Sequence, residues 1–492
     1  MKKASAFEIV AARCWNMLNE GKPFTPIFTV GTFLLYRLSE WSHAQFWSSA
    51  GLALLVVLPL FVIYYIYDFP LLLRNYLWLP LVAALLLWNQ QNFMLYMLAL
   101  GLFYFFTVYF WGTFYYHMRI GTSWWNFKRF WKLVLKNSDS TSGNAQEQMP
   151  KFLLLLFIWN HFYHVFYSSE SLQVVIASAY EHLLPLAVFT CCLWLYSYVL
   201  HVNLFDWKPS EKAPFTDKEH ESKTALNEKV IVIVIDGMRK ERFEEAEAPF
   251  LKKLRAEGTE YAQMETVYPA RTVVCFSSMF TGTYPREHGI RSNMVWRLGI
   301  KVESIFDSLR KVRKTGRLLG IAHLIDSMGD DVESVTAVMH NDIADRNIIE
   351  RAKKIMEEQN PDLLVAQLIG VDQTGHSMGV LYDEYLRKIA EADKLVEHFV
   401  GWLEEKGMMS NTTLIICADH GQADGIGGHG HLDEGERYVP FFLHGPAIRK
   451  GVRVEEKQSL ISVAPTLAYL LGAPFPSHSR GRVLKEALNA ES

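Results

Sequence analysis

Cysteine is scarce in this chain: five residues in 492, at Cys14, Cys191, Cys192, Cys275 and Cys417. So few, spread over such a length, exclude a disulfide-stapled scaffold and fit a reducing compartment. A positive excess is also missing, since 49 Lys and Arg stand against 52 Asp and Glu for a net charge of −3. Without that excess the chain lacks the means to neutralise a nucleic-acid polymer, and none is expected as a partner. Low hydrophobicity, the mark of a disordered polymer, is absent too, because half the residues are hydrophobic and 14% are aromatic. Met1 to Glu20 has no continuous apolar core, so it reads as an amphipathic helix rather than a secretory leader.

The charge that is present is unevenly placed. Residues 1–205 hold 12 Lys and Arg and eight Asp and Glu, only 20 of the 101 charges, and twelve of the 14 Trp lie at or before Trp207. Trp collects where an amphipathic ring meets a bilayer interface. The pattern predicts a multi-span transmembrane domain over 1–205, a charged, Pro-containing linker over 206–228 and a water-soluble catalytic domain over 229–492. The clearest spans are Trp47 to Tyr67 and Phe93 to Tyr116, with Tyr76 to Trp88 and Leu183 to Leu200 beside them. Pro26 to Tyr36 and Phe152 to Tyr167, the latter carrying Asn160, His161 and His164, read either as spans or as re-entrant segments. Aromatics interleaved with cations at Trp124 to Lys132 suit an interfacial anchor.

If all six stretches cross, every Lys and Arg of this region except Arg37 falls on one side. The positive-inside rule then expects an integral cell-membrane protein with its soluble domain in the cytoplasm. Removing Phe152 to Tyr167 from the count reverses that side.

Beyond the linker the pattern changes. Lys229 to Asp236 is a continuous β-branched run, as expected of a strand buried on both faces of a parallel sheet. Arg317 to Leu324, Leu363 to Val371, Thr412 to Ala418 and Tyr438 to Leu443 repeat it, separated by helical patterns such as Asp345 to Gln359 and Leu381 to Lys406. Alternation of this kind predicts an α/β layered fold with a mostly parallel sheet, its functional residues beyond the carboxyl ends of the strands. Asp236, Asp372 and the triplet Asp419-His420-Gly421 stand at such ends, His376 follows Asp372 by four residues, and His429 and His431 lie in the loop after Asp419. Carboxylates and imidazoles together suit a pair of Zn²⁺ or Mn²⁺ ions rather than Ca²⁺, which prefers oxygen-only cages. Tyr268-Pro-Ala-Arg-Thr272 reads as a loop entering a helix, with Thr272 placed either as a simple cap or as a nucleophile beside a metal.

These elements resemble the alkaline phosphatase superfamily, and within it the type I phosphodiesterase/nucleotide pyrophosphatase group. The likeness runs from Lys229 to Leu488. Its strongest stretch is Tyr268 to Ile290, similar to the family's nucleophile loop, helix and Thr-Gly-x-x-Pro-x-x-His-Gly tail; Asp372 to His376 is similar to its D-x-x-G-H element and Asp419 to Gly421 to its D-H-G element. The resemblance implies one metal held by Asp372, His376 and a third histidine, His429 or alternatively His431. It implies a second held by Asp236, Asp419, His420 and the Thr272 oxygen. Two ions about 4 Å apart would bracket an in-line displacement at phosphorus. Sulfatases are disfavoured, because no Cys or Ser followed by x-Pro-x-Arg stands at the nucleophile.

The expected fold is therefore α/β, a mostly parallel sheet sandwiched by helices as in alkaline phosphatase, preceded by an all-α transmembrane domain. The expected function is that of a membrane-embedded two-metal phosphodiesterase or pyrophosphatase working through a covalent phospho-threonine. The alternative is a phospholipid-dependent transferase that moves a phosphoethanolamine- or phosphoglycerol-type group to a glycan or lipid acceptor. Such relatives work outside the cytoplasm, against the charge count. Expected partners are a phosphodiester, lipid-linked or free, and membrane lipids.

Overall fold

Six unbroken β-branched residues, Val230 to Ile235, follow Lys229 in the central strand β3 (Lys229–Ile235) of the C-terminal half, and all six are wholly buried. A strand covered on both faces needs no alternation, which is why the run is continuous. The computed structural model describes residues 24–68, 93–106, 140–168, 206–207, 209, 211–222, 224–293, 295–334, 343–424 and 428–489, with isolated positions before 24 and between 107 and 199. The expected span Tyr76 to Trp88 and the anchor Trp124 to Lys132 lie outside these residues, as do most of Leu183 to Leu200 and of Met1 to Glu20.

The chain divides into two units, Met1–Val134 with Ser140–Lys208, and Leu135–Asp139 with Pro209–Ser492. In the first, helices α1 (Phe24–Tyr36), α2 (Ala44–Ile66), α3 (Phe93–Tyr104) and α4 (Ser140–Ser168) are described, and strand β1 (Tyr67–Asp68) pairs antiparallel with β2 (Asp206–Trp207). Ala44–Ile63 is long and apolar enough to cross a membrane; Thr25–Tyr36 and Phe93–Tyr104 are apolar but shorter. Helix α4 packs on α2 and α1 through Trp159, whose ring stacks on Phe33 with centroids 4.2 Å apart. Asn160 and His164 of Phe152 to Tyr167 converge on Arg37. Its guanidinium meets Glu40 at 2.7 Å, Asn160 Oδ1 at 3.1 Å and His164 Nε2 at 2.8 Å.

In the second unit, β4 (Thr259–Tyr261), β5 (Met264–Glu265), β6 (Gly316–Gly320), β7 (Val332–Ser334), β8 (Leu363–Leu368) and β9 (Thr412–Cys417) follow β3. Then come β10 (Tyr438–Val439), β11 (Phe441–His444), β12 (Val452–Val454) and β13 (Gln458–Ser459). Eight strands make one sheet in the order β12-β4-β11-β9-β3-β8-β6-β7; β9, β3, β8, β6 and β7 run parallel, while β11 is antiparallel to both β9 and β4. The remaining strands form a small sheet, β10-β5-β13.

Helices α5 (Thr272–Thr281), α6 (Ala344–Glu358), α7 (Gly370–Met378), α8 (Asp383–Glu405) and α9 (Val463–Leu471) frame the site and the sheet. Three expected boundaries move. The strand expected to reach Val371 stops at Leu368, because Asp345 draws the chain into α7, so Asp372 lies in a first helical turn and not at a strand end. The run Arg317 to Leu324 turns helical after Gly320, and Pro440 splits Tyr438 to Leu443 between two sheets. Part of the expected linker is tied to the catalytic unit: Thr216 N–H donates to Ser479 O at 2.8 Å and Leu226 N–H to Leu470 O at 2.9 Å.

Candidate active site

Every residue of α5 is buried, so its hydroxyls need internal partners. Ser277 and Thr281 find them one turn back, at Val273 O (2.6 Å) and Ser277 O (2.7 Å). Arg271 occupies the cap position in extended backbone and makes no side-chain cap bond, so Thr272 is the first helical residue and its hydroxyl is not spent on capping. Thr272 Oγ1 lies 3.2 Å from His420 Nε2. Val273 N–H, one of the donors at this helix start, is taken by Asn293 Oδ1 at 2.9 Å.

Two groups of ligand-type atoms sit at the carboxyl ends of β3, β8 and β9. Asp236, Asp419 and His420 form one; Asp372, His376 and His429 form the other. Asp372 and His376 are four residues apart in α7 and so share a face, with Asp372 Oδ2 and His376 Nε2 at 3.3 Å. His420 Nε2 lies 3.4 Å from both Asp236 Oδ1 and Asp419 Oδ2, and His429 Nε2 lies 3.8 Å from Asp372 Oδ1. His431 falls in neither group; its backbone N–H donates to Glu436.

The donor chemistry fits divalent ions. His420 Nδ1–H donates to Gly421 O at 2.8 Å and His429 Nδ1–H to Ala270 O at 2.7 Å, which leaves each Nε2 lone pair facing its group. Asp236 Oδ1 and Asp419 Oδ2 are buried oxygens without a hydrogen-bond donor. Burial, and then the charges of Asp419 and Asp372, push the Asp236 carboxyl well above its usual range; burial, with Asp372 adding to it, also raises Asp419. Asp372 goes the other way: burial would raise it, but the imidazoles of His376, His429 and His420 outweigh that and hold it low. Burial, then His420, depresses His429 well below an ordinary imidazole. Carboxylates forced together in a dry site, beside imidazoles with free lone pairs, call for a compensating cation.

Supporting residues were invisible in the motifs. Asp345 Oδ1 accepts the Ile369 and Gly370 N–H groups at 2.7 and 3.2 Å, pinning the start of α7. Tyr385 OH donates to Gly237 O at 2.6 Å and accepts from Arg239 N–H at 3.0 Å, fixing the turn after Asp236. Asn293 lies 20 residues from Val273, which it serves, in a segment without sequence pattern.

Comparison with known proteins places this domain. Residues 230–316 match the type I phosphodiesterase / nucleotide pyrophosphatase family model and residues 330–473 the sulfatase model. The segment Tyr268 to Thr272 lies in the first match, the α7 and Asp419 motifs in the second. The chain is 33% identical over 148 residues to the human GPI ethanolamine phosphate transferase 3 catalytic subunit, covering 30% of this chain and 13% of that protein. It is 24% identical over 180 residues to Aspergillus fumigatus GPI ethanolamine phosphate transferase 2 (34% and 23% covered) and 24% over 217 residues to Crotalus adamanteus venom phosphodiesterase 2 (40% and 27%). The match therefore spans well under a third of each relative's length. Among solved structures, murine ectonucleotide pyrophosphatase / phosphodiesterase 5 aligns with a TM-score of 0.44 at 14% identity, covering 51% of this chain and 96% of that one. Between them, the type I phosphodiesterase / nucleotide pyrophosphatase and sulfatase family models match most of the C-terminal domain.

Proposed function

We propose that the catalytic domain transfers a phosphoethanolamine-type group from a phosphodiester donor to an alcohol acceptor through Thr272. The observation carrying this reading is the uncapped Thr272 hydroxyl, 3.2 Å from His420 Nε2, beside two three-residue ligand groups. Asp236, Asp419 and His420 would hold one divalent ion, Zn²⁺ or Mn²⁺, and Asp372, His376 and His429 the other. Bound there, the ions would supply the positive charge that lowers the cost of ionising an alcohol and of building negative charge on phosphorus. Thr272 Oγ1 forms a bond to phosphorus as the bond to the donor's alcohol breaks, and that alcohol leaves carrying the proton Thr272 gives up. The acceptor hydroxyl then attacks the phospho-threonine and its proton restores Thr272. The α5 start, held by Asn293, keeps the nucleophile at the end of a helix whose N–H groups favour an anion.

The likeness to the ethanolamine phosphate transferases supports an alcohol as acceptor, on a lipid-linked glycan, and α2 supports a site of action at a membrane. Water as acceptor, giving a phosphodiesterase, is a second reading, favoured by the family-model match across the nucleophile loop. The test uses detergent-solubilised full-length protein with Zn²⁺ or Mn²⁺, a radiolabelled ethanolamine phospholipid and an alkyl mannoside acceptor, alongside an aryl phosphodiester. Label reaching the mannoside, lost in Thr272→Ala, is the expected result. Turnover of the aryl diester alone supports the phosphodiesterase, and either activity surviving in Thr272→Ala overturns the nucleophile.

A further inference from the structure

Arg271 immediately precedes Thr272 and is only 8% exposed. Among the described residues it forms no ion pair, and its buried Nε has no hydrogen-bond partner. Other arginines of this domain are matched: Arg239 with Glu241 and Asp424, Arg242 with Glu245, Arg437 with Glu265. The Arg271 side chain packs on Gly430, in the His429 loop. A Cβ at Gly430 would sit 2.8 Å from Arg271 Nε and 3.3 Å from its Cγ, so the loop must carry glycine there, at φ +115°, for the guanidinium to fit. The backbone beside it is pinned to the same loop by the bond from His429 Nδ1 to Ala270 O.

A buried guanidinium nitrogen without a hydrogen-bond acceptor is disfavoured. Among the described residues no carboxylate pairs with Arg271, which leaves the guanidinium available to an anionic ligand. We propose that Arg271 binds a second anionic group of the substrate, phosphate or carboxylate, adjacent to the phosphoryl that reaches Thr272. The inference rests on the phosphoryl-transfer reading and adds to it a preference for a donor or acceptor that brings a further anionic group beside the reacting phosphoryl, so that uncharged acceptors are the poorer substrates. A planar fork suits two oxygens of such a group at once. By the same charge, an ethanolammonium group is kept away from Arg271, so the second anion belongs to the leaving or accepting partner and not to the transferred headgroup.

The experiment is calorimetric binding of phosphonoacetate and methylphosphonate to Zn²⁺-loaded, detergent-solubilised full-length protein. The first probe carries a carboxylate next to its phosphonate; the second does not. Wild type is expected to bind phosphonoacetate the more tightly. Arg271→Gln should weaken phosphonoacetate roughly 10- to 100-fold, the range for a hydrogen bond to a charged group, and leave methylphosphonate within about twofold. Arg271→Lys should recover part of the loss. Equal weakening of both probes would overturn the proposal and assign Arg271 to the transferred phosphoryl itself; no weakening of either would make it structural. Circular dichroism of each variant checks the fold. Methylphosphonate binding that persists after the metal is stripped would instead sink the underlying two-ion reading.

Discussion

Gln422 Nε2 donates to Asp372 twice, to its backbone carbonyl at 2.8 Å and to Oδ1 at 2.5 Å. Gln367 does the same for the other group. Its Nε2 donates to Asp236 Oδ2 at 2.6 Å, while its Oε1 accepts from Ile321 N–H at 2.9 Å. Both glutamines are fully buried, and each grips one carboxylate oxygen while the other faces an imidazole, Asp372 Oδ2 toward His376 and Asp236 Oδ1 toward His420. A neutral amide orients a carboxylate without cancelling its charge. Groups that orient ligands in this way are worth roughly 10- to 100-fold in metal affinity. Gln422→Met, close in shape, is therefore expected to weaken one of the two bound ions by that factor while the other stays near wild type. Chelator competition with Zn²⁺ measures this, and equal weakening of both ions would point to a general loss of structure.

Gly237 and Gly407 share a φ of +68° but have different surroundings. A Cβ at Gly237 would lie 2.7 Å from Asp372 Oδ1 and 3.0 Å from its Cα, whereas nothing stands within 4 Å of one at Gly407. Gly407→Ala should cost only the backbone term, about 1 kcal/mol. Gly237→Ala should cost several times more, because Asp372 must move, and should also reduce bound metal. Urea unfolding of both variants with metal analysis is the check. Equal costs would mean that the β3 turn and α7 yield easily.

Much of this was legible in the sequence, for physical reasons. A strand buried on both faces must be apolar throughout, so β3, β8 and β9 announce themselves, and ligands placed just beyond them stand out against that background. Asp372 and His376 are tied by helical spacing, and Thr272 by the loop before α5. Short strands such as β4, β7 and β12 carry no such signal, because three residues cannot establish a period. Supporting residues are hidden for a different reason. Asp345, Asn293, Gln367 and Gln422 act through contacts made by folding, across 24, 20, 131 and 50 residues respectively. Nor could spacing tell that His429, and not His431 two residues on, would lie beside Asp372 and His376.

His288 links helix α5 to acid stability. Its Nδ1 accepts the Ile290 N–H at 3.1 Å, so Nε2 must carry the proton it shares with Ser278 Oγ at 2.9 Å. A second proton on Nδ1 would face an N–H donor. Burial, and then the nearby Arg291 charge, lower the His288 pKa to about 3 from an ordinary 6.5. The sign follows from which state binds the proton. Below pH 6.5 the unfolded chain takes up a proton that the folded chain refuses until about pH 3, so stability falls as pH falls through that window. The slope is about 1.4 kcal/mol per pH unit, giving on the order of 2 kcal/mol lost from this residue by pH 5. His288→Asn keeps an acceptor for Ile290 and does not titrate. It should be less stable than wild type at pH 7, through the lost Ser278 bond, yet lose less between pH 7 and pH 5. Urea midpoints of the full-length protein in detergent at the two pH values test this; parallel losses in both proteins would show that His288 does not set the acid limit.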